Sequence, residues 1–437
     1  MATKMIKAKD FEGGVHPEYK KLTAKKEIEK AELPKKVIFP LRQYVGKIYE
    51  PLVDEGDHLK VGQKIGDSDY AISAPIHASV SGEVSELTTH PSPLGGEVKS
   101  IVIESDEKDE WVETKGINPK KAAKEEIIAK IRECGLVGLG GAGFPTHTKL
   151  SPPKGKTVDT VIINGAECEP YLTSDHRLML EEGEKIIKGA KIIEKILKPE
   201  RTLIAIENNK PDAIKNLKNL SDENIEIVPL ETKYPQGDER HIIKAVLDRE
   251  VPSGGLPFDV GVGVQNVGTT KAIHDAVYEG TPLIERVISV TGDVQNRKNL
   301  LARIGTPFSN LINQCGGGKG KTRQVIFGGP MMGTAQTKDA PIMRGTTGIV
   351  VFNEKRVEKG EELPCIKCGR CIEACPMNLM PTKLKDLVEN EMWETAQEDY
   401  NLLSCDRCGC CAYVCPSKIP LVETIRDGQC DFRERGG

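Results

Sequence analysis

Aromatic residues are scarce, at 4% of 437 positions, so any core this chain builds has to be aliphatic. No uncharged apolar run approaches the roughly 18–20 residues that cross a bilayer, and the opening MATKMIKAKD lacks the apolar stretch of a signal peptide. These absences predict a cytoplasmic protein, while peripheral docking on a membrane complex, which needs no spanning helix, stays open. A strong charge of one sign is also missing. The net charge of −4 argues against nucleic acid as the main partner. The one biased stretch is residues 1–36, with ten lysines against six acids; it reads as a solvated arm, with a docking segment as the alternative.

What is present suits several soluble domains: 38% hydrophobic and 29% charged residues, on a chain longer than one core usually supports. Residues 1–34 form the N-terminal arm. From 35 to 115, short strands broken by turns (KVIFPL, VGKIYEPLV, ISAPIHASVSGEVSEL) predict an all-β unit. Its phrasing resembles the barrel-sandwich fold of biotinyl and lipoyl domains. No lysine lies between Ala74 and Gly82, where those domains carry their cofactor, so a structural or docking role is expected.

Residues 116–284 alternate helical periods with short apolar runs. Helices are expected over Lys120 to Cys134, Ser174 to Leu197, and near 211–219, 238–248 and 269–278. Strands are expected at Thr160 to Ile163, TLIAI, IEIV and VGVGV. Such alternation predicts an open, mainly parallel α/β sheet of Rossmann-like type, with ligands at the carboxyl ends of its strands. Residues 285–357 suggest a small β-grasp module with a short helix near Phe308 to Cys315. A linker begins at Glu358, and 358–437 is dominated by cysteine.

Ten of the thirteen cysteines follow position 360, and clustering in a chain without a secretion signal points to metal rather than disulfides. Cys365, Cys368, Cys371 and Cys375 precede Pro376, and Cys405, Cys408, Cys411 and Cys415 precede Pro416. Both runs read C-x2-C-x2-C-x3-C-P. In bacterial ferredoxin runs of this kind three thiolates hold one 4Fe-4S cube and the fourth ligates the other. One cube would then take Cys365, Cys368, Cys371 and Cys415, and the other Cys405, Cys408, Cys411 and Cys375. Structural zinc is the competing reading of paired C-x2-C spacings, and two complete C-x3-C-P copies favour the cubes. The segment KLKDLVENEMWETAQ between the runs reads as a helix and predicts a helical two-cluster ferredoxin domain. Cys410 has no slot in the motif, and Cys134, Cys168, Cys315 and Cys430 read as inert thiols.

Gly138 to Gly143 satisfies G-x-G-x-x-G, yet a helical stretch precedes it and Phe144-Pro145 follows, so the dinucleotide fingerprint does not apply. Its backbone N–H groups can still face an anion, with Lys149 as a point charge; a structural glycine turn is the alternative. Asn164-Gly165-Ala166-Glu167-Cys168-Glu169-Pro170, Gly237-Asp238-Glu239-Arg240 and Gln265-Asn266-Val267-Gly268-Thr269 lie at strand or helix ends. Each alone has a cap or turn explanation; together they suggest one shared site.

GLGGAGFPTHTK resembles the G-x-GGAGFP-x3-K loop of the flavin- and NADH-binding subunit of respiratory complex I. NGAECEP, YPQGDER and QNVGT resemble later segments of that family in the same order. The whole arrangement, with FEGGVHPEYK at the start, GGPMMG and two ferredoxin runs, is similar to the C-subunit family of Rnf ferredoxin:NAD+ oxidoreductase complexes. The resemblance implies an NAD-dependent flavin and iron–sulfur oxidoreductase subunit of a Na+- or H+-transporting translocase. It implies non-covalent FMN, NAD(H), two 4Fe-4S clusters, and attachment to the cytoplasmic face of the cell membrane. Its partners would be other subunits of a membrane electron-transport complex, including an iron–sulfur subunit that receives ferredoxin electrons.

Carried over by position, Gly138, Gly140, Lys149, Asn164, Glu167, Gly237, Asp238, Asn266 and Thr269 would contact the flavin. Phe144, Glu169 and Glu239 would lie near the nicotinamide nucleotide, and no side-chain acid or base need be catalytic. Leu139, Ala166 and Gly268 depart from the complex I pattern, which has arginine, aspartate and glutamate there. A soluble hydrogenase or formate dehydrogenase flavin subunit, and a non-catalytic electron relay, are the rival readings.

Overall fold

Four runs of β-branched and aliphatic residues, Thr160–Asn164, Arg201–Glu207, Ile225–Leu230 and Val262–Asn266, form a wholly parallel sheet. Val161, Ile162, Ile163, Leu203, Ile204 and Ala205 are fully buried, as expected of a parallel sheet covered on both faces. The strand order is Ile225–Leu230, Arg201–Glu207, Thr160–Asn164, Val262–Asn266. The chain therefore builds outward from the first strand and then returns to its other side. The reversal places the ligand crevice between the carboxyl ends of Thr160–Asn164 and Val262–Asn266, where Asn164 and Asn266 stand opposite each other in register. This computed structural model describes residues 8–44, 48–336, 339–357 and 360–435.

Helices cover both faces of the sheet. Gly183–Leu197 and Val267–His274 cross so closely that a Cβ on Gly189 would lie 2.0 Å from the Thr270 carbonyl oxygen. The single helix expected from Ser174 to Leu197 is two, Ser174–Glu181 and Gly183–Leu197. At the break a side chain on Gly183 would strike Leu220 of the Pro211–Leu220 helix, its Cβ 2.7 Å from Leu220 Cδ1, so the joint is where a third helix packs in.

Before this sheet, residues expected to be all-β form two facing antiparallel layers. One runs in the order Lys36–Pro40, Glu97–Ser105, Gly82–Pro91, His58–Leu59, and the other Glu50–Pro51, Lys64–Asp67, Ile76–His77. Val37, Phe39, Ile65, Ile76, Ile101 and Ile103 fill the space between them. After the parallel sheet comes a mixed six-stranded sheet in the order Ile28–Lys30, Lys298–Arg303, Glu285–Gly292, Gly348–Asn353, Thr322–Phe327, Thr334–Gln336. The Phe308–Gln314 helix covers it, with Phe308, Leu311 and Ile312 in contact with the same core as Val290, Val325 and Val351.

The solvated arm is a correction. Lys9 bridges Leu230, Val15 bridges Tyr234, and Ile28–Lys30 adds a parallel strand beside Lys298–Arg303. Phe11, Val15 and Thr23 are buried, and Phe11 stacks on His241 with ring centroids 4.8 Å apart. Lysine excess concealed a segment whose few apolar side chains and backbone groups find partners in the fold. The first seven residues of that arm, and Glu358 at the start of the linker, lie outside the described residues.

In the cysteine-rich part, the short helices Arg370–Glu373 and Cys410–Tyr413 each follow a glycine, Gly369 and Gly409, with φ of 77° and 84°. Only glycine adopts such angles freely, so the two runs turn alike. The one helix expected between the runs is again two, Pro381–Glu389 and Trp393–Glu398. Glu391 takes a left-handed φ of 57° between them, and Trp393 is buried. Among the described residues no helix is long and apolar enough to cross a membrane.

Candidate functional site

The crevice predicted by topology is walled by the loops that the sequence singled out. Asn164, ending its strand, donates from Nδ2 to the Gly237 carbonyl at 2.8 Å and accepts the Ala166 N–H at 3.0 Å, tying two of the loops together. Gly237 has no room for a side chain: its Cβ would stand 2.1 Å from the Ala166 carbonyl oxygen. Asp238 caps the Glu239–Leu247 helix by accepting the Arg240 and His241 N–H groups. Asn266 caps Val267–His274 by accepting those of Gly268 and Thr269. These are ordinary N-caps, and both helices begin at the crevice.

The glycine loop closes over the same place. Gly138 donates to the Phe144 carbonyl at 2.8 Å, and Leu139 donates to Thr269 Oγ1 at 2.8 Å. Gly140 sits 3.4 Å, measured from an added Cβ, from the Asn266 Cβ. Gly140, Gly141 and Ala142 are exposed, and their N–H groups have no partner among the described residues. Three unpaired N–H groups on a side-chain-poor loop beside a helix N-terminus suit a flat ligand with an anionic end. The Lys149 ammonium reaches Glu239 Oε1 at 2.6 Å, joining the loop to the Glu239–Leu247 helix.

Two predicted acids are already engaged. Glu167 accepts the Ser174 hydroxyl and the Asp175 and His176 N–H groups, so its carboxylate caps Ser174–Glu181. Glu169 turns away from the crevice floor and accepts the Met331 and Met332 N–H groups at 3.1 and 2.7 Å. Burial pushes its carboxyl up to about 7 in spite of those two donors. The structure thus brings Gly138, Gly140, Lys149, Asn164, Gly237, Asp238, Glu239, Asn266 and Thr269 around one crevice. It uses Glu167 and Glu169 to hold that crevice's rear wall, and the Phe144 carbonyl closes the loop.

Three side chains escaped sequence reasoning. Lys21 donates from its ammonium to the carbonyls of Glu167, Glu169 and Leu172 at 2.6, 2.8 and 2.8 Å. Asp175 accepts from Asn266 Nδ2 at 2.6 Å, and burial pushes it up to about 7. It also fills the space beside Gly268, where an added Cβ would lie 3.6 Å from Asp175 Oδ1. The third is Arg286, whose guanidinium donates to the Leu139 carbonyl at 2.9 Å. Their partners lie 146, 91 and 147 positions away, beyond any local pattern.

The cysteines meet across the two runs. Cys375 of the first run lines one cavity with Cys405, Cys408, Cys410 and Cys411 of the second. Cys371 shares a cluster with Cys415 and Cys411, while Cys365 and Cys368 are exposed. The second run abuts the crevice through Tyr234, whose Oη donates to the Cys408 carbonyl at 2.6 Å, and the first run is held by the arm, where Gly14 N–H donates to the Ala374 carbonyl at 3.0 Å. Cys410 is buried in this seam among Val15, Cys168, Tyr234 and Ala374, with its sulfur 3.9 Å from the Tyr234 carbonyl oxygen. Cys168 accepts the Gly237 N–H at 3.4 Å, and burial pushes its thiol well up. Burial also raises the thiols of Cys134 and Cys315, to about 11 and about 12, which leaves them unreactive at neutral pH. Five cysteines line the cavity shared by the two runs, and the four that fill motif slots, Cys375, Cys405, Cys408 and Cys411, fit an iron–sulfur cube as donors.

Family models match along most of the chain: the RnfC barrel sandwich hybrid domain over 9–108, the Nuo51 FMN-binding domain over 131–275, the SLBB domain over 287–335 and a 4Fe-4S dicluster domain over 364–419. Over 98% of its length the chain is 50% identical to the C-subunit of the proton-translocating ferredoxin:NAD(+) oxidoreductase complex of Clostridium ljungdahlii, covering 95% of that protein. It is 42% identical, over 96% of each, to the Na(+)-translocating counterpart of Acetobacterium woodii. It is 39% identical to the C-subunit of the ion-translocating oxidoreductase complex of Rhodobacter capsulatus, over 97% of this chain and 83% of that one. Among solved structures, an NAD+-reducing NiFe-hydrogenase in its H2-reduced state superposes with a TM-score of 0.50 at 17% identity, over 72% of this chain and 62% of that one, a likeness of fold. The chain belongs to the C-subunit family of ion-translocating ferredoxin:NAD(+) oxidoreductase complexes.

Proposed function

We propose that this chain is the peripheral NAD(H)-linked component of a membrane-bound, ion-translocating ferredoxin:NAD+ oxidoreductase, exchanging hydride between NAD(H) and FMN and single electrons between FMN and two 4Fe-4S clusters. The observation that carries this reading is the seam at Tyr234: the loop that ends in Gly237 at the crevice also grips the Cys408 backbone. An entry for nucleotide and an exit for electrons are therefore held by one segment.

Bound FMN supplies the exchange between two-electron hydride chemistry and one-electron chemistry. The chain's own residues orient and enclose. The free N–H groups of Gly140, Gly141 and Ala142, with the Lys149 ammonium, would hold the flavin's anionic end. Asn164, Asp238, Asn266 and Thr269 fix the loops that surround it, and Glu167 sets the wall behind. Glu239, paired with Lys149, and Phe144 lie toward the nicotinamide nucleotide, while Glu169 positions the Gly328–Gly333 turn. Hydride exchange between NAD(H) and FMN would require no side-chain proton transfer at carbon, so no acid or base is given a catalytic role.

Cys405, Cys408, Cys411 and Cys375 hold the cube nearer the crevice, and Cys365, Cys368, Cys371 and Cys415 the outer one. In this reading the outer cube is the one that meets a partner protein at the cytoplasmic face of the membrane, and the exposure of Cys365 and Cys368 supports that role. The domain limits that follow are 1–34, 35–115 (barrel-sandwich), 116–284 (Rossmann-like), 285–357 (β-grasp) and 358–437 (helical ferredoxin). The arm belongs physically to its neighbours.

Anaerobic purification with iron, zinc and flavin quantified, followed by NADH reduction monitored by EPR, tests the whole reading. About eight irons per chain, one FMN, flavin bleaching by NADH and two interacting cluster signals are the expected outcome. Zinc in place of iron, or a flavin-free chain that NADH does not reduce, sinks it.

A further inference from the structure

Two arginines of the mixed-sheet segment are buried beneath the glycine loop, and neither forms an ion pair with a carboxylate among the described residues. Arg344, 1% exposed, spends its guanidinium on backbone and one hydroxyl: Nη1 donates to the carbonyls of Ala74, Pro75 and Gly135, and Nη2 to the Tyr49 hydroxyl. Arg286, 5% exposed, donates from Nη2 to the Leu139 carbonyl at 2.9 Å and from Nη1 to the Arg344 carbonyl. Its Nε has no partner. Burying a guanidinium costs solvation; the carbonyl partners, and for Arg286 the charge of the nearby buried Asp175, return only part of it. Such an arrangement needs a return elsewhere.

The Leu139 carbonyl belongs to the same planar peptide as the Gly140 N–H. In a trans peptide these two groups point in opposite directions. Holding the carbonyl inward on Arg286 therefore aims the Gly140 N–H the opposite way, outward from the exposed loop. Thr269 holds the preceding peptide from the other side, by accepting the Leu139 N–H at 2.8 Å. Gly345, next to Arg344, lets the loop settle onto this base, since an added Cβ there would lie 2.9 Å from the Gly141 carbonyl oxygen.

We infer that Arg286 is a positioning residue of the nucleotide site: it sets the glycine loop with the Leu139 carbonyl inward and the Gly140 N–H outward, preorganised for the flavin. The inference rests on the flavin reading above. It adds to that reading a residue from a different sheet, 147 positions from the loop it governs. Without it the loop can rotate the Leu139–Gly140 peptide, and binding has to supply the ordering.

The test is FMN affinity, by flavin fluorescence on the deflavinated full chain, for wild type, Arg286→Met and Arg286→Lys, with iron per chain measured on each. The expected result is a loss of about ten- to hundredfold for Arg286→Met, partial recovery for Arg286→Lys, which keeps a donor for one carbonyl, and unchanged iron in both. If Arg286→Met binds FMN as wild type does, the inference fails and the flavin site stands. If iron and flavin fall together in both variants, Arg286 only supports the fold, and the inference also fails. A wild-type chain that takes up no FMN overturns the flavin reading and this inference with it.

Discussion

At the scale of single residues, Glu169 shows how burial turns a carboxylate into a pH-dependent strut. Its carboxyl is pushed from an ordinary 4.5 up to about 7, so between those values the folded chain binds a proton that the unfolded chain releases. Stability from this group is then highest below about pH 4.5 and falls as pH rises through about 7. Glu169→Gln removes the titration and keeps an acceptor oxygen for one of the Met331 and Met332 N–H groups, which in the wild type bond to different carboxylate oxygens, so it carries a pH-independent cost beside the loss of the slope. The difference in urea stability between wild type and variant should grow toward neutral pH in the variant's favour, by up to about 3 kcal/mol. A difference that stays flat from pH 4.5 to 7 would mean Glu169 does not carry the slope. Lys149→Ala is the companion prediction on the crevice side. Loss of the ammonium should weaken FMN binding about tenfold while iron stays at wild-type content, read by flavin fluorescence and iron assay.

Much of this residue-level picture was legible beforehand, because Asn164, Asp238, Asn266 and Thr269 sit at ends of predicted elements, where polar caps have a local cause. Glu167 and Glu169 were also singled out, but the structure turns their carboxylates to backbone N–H groups of Ser174–Glu181 and of the Met331 turn. A sequence shows that an acid lies near a strand end; it does not show which way the chain turns next. Lys21 and Arg286 were beyond reach for a plainer reason. A lysine in a lysine-rich arm and an arginine in a strand look like surface charge until tertiary contacts bury them.

At the scale of elements, the crossing at Gly189 decides where Asn266 and Thr269 stand. In an open helix interior Gly→Ala is usually favourable, by roughly 0.5–1 kcal/mol. Here the new methyl would start 2.0 Å from the Thr270 carbonyl oxygen, so the Val267–His274 helix must move. Gly189→Ala is expected to cost about 1–3 kcal/mol from overpacking and to weaken flavin binding, since Thr269 moves with its helix. Thermal melting and flavin titration report the two effects. A stabilised variant would show that the two helices do not press together there.

The strands of the parallel sheet were legible because their apolar runs are short, β-branched and bounded by turns. Helix breaks at Glu182 and near Glu391 were not, because helical periodicity continues through both. Packing set those breaks: a third helix closes against Gly183, and Trp393 is buried directly after the left-handed Glu391.

For the molecule as a whole, the arm is the part whose reading changed most, and it ties the layers together. Within its length it bridges the parallel sheet at Leu230, the Tyr234 loop and the Ala374 carbonyl of the first cysteine run, and it adds a strand to the mixed sheet. Gly14 has no alternative there, with a φ of 79° and an added Cβ 2.6 Å from the Tyr234 carbonyl oxygen. The same segment that secures the crevice's rear loop through Lys21 therefore also holds the cysteine-rich part against it.

Lys21→Met separates these roles. It leaves the strand and bridges in place but strands three carbonyls that had shared one ammonium, at a cost of about 1–3 kcal/mol. Deleting residues 1–34 removes both. A solvated arm would make the deletion silent. The contacts predict instead a lower melting temperature, earlier proteolysis between the crevice domain and the cysteine runs, and slower cluster reduction by NADH, because the Tyr234 seam loses its Val15 partner. Lys21→Met should lower the melting temperature while keeping electron transfer near wild type. If the deleted chain melts and transfers electrons as the full chain does, the arm is no part of the machine.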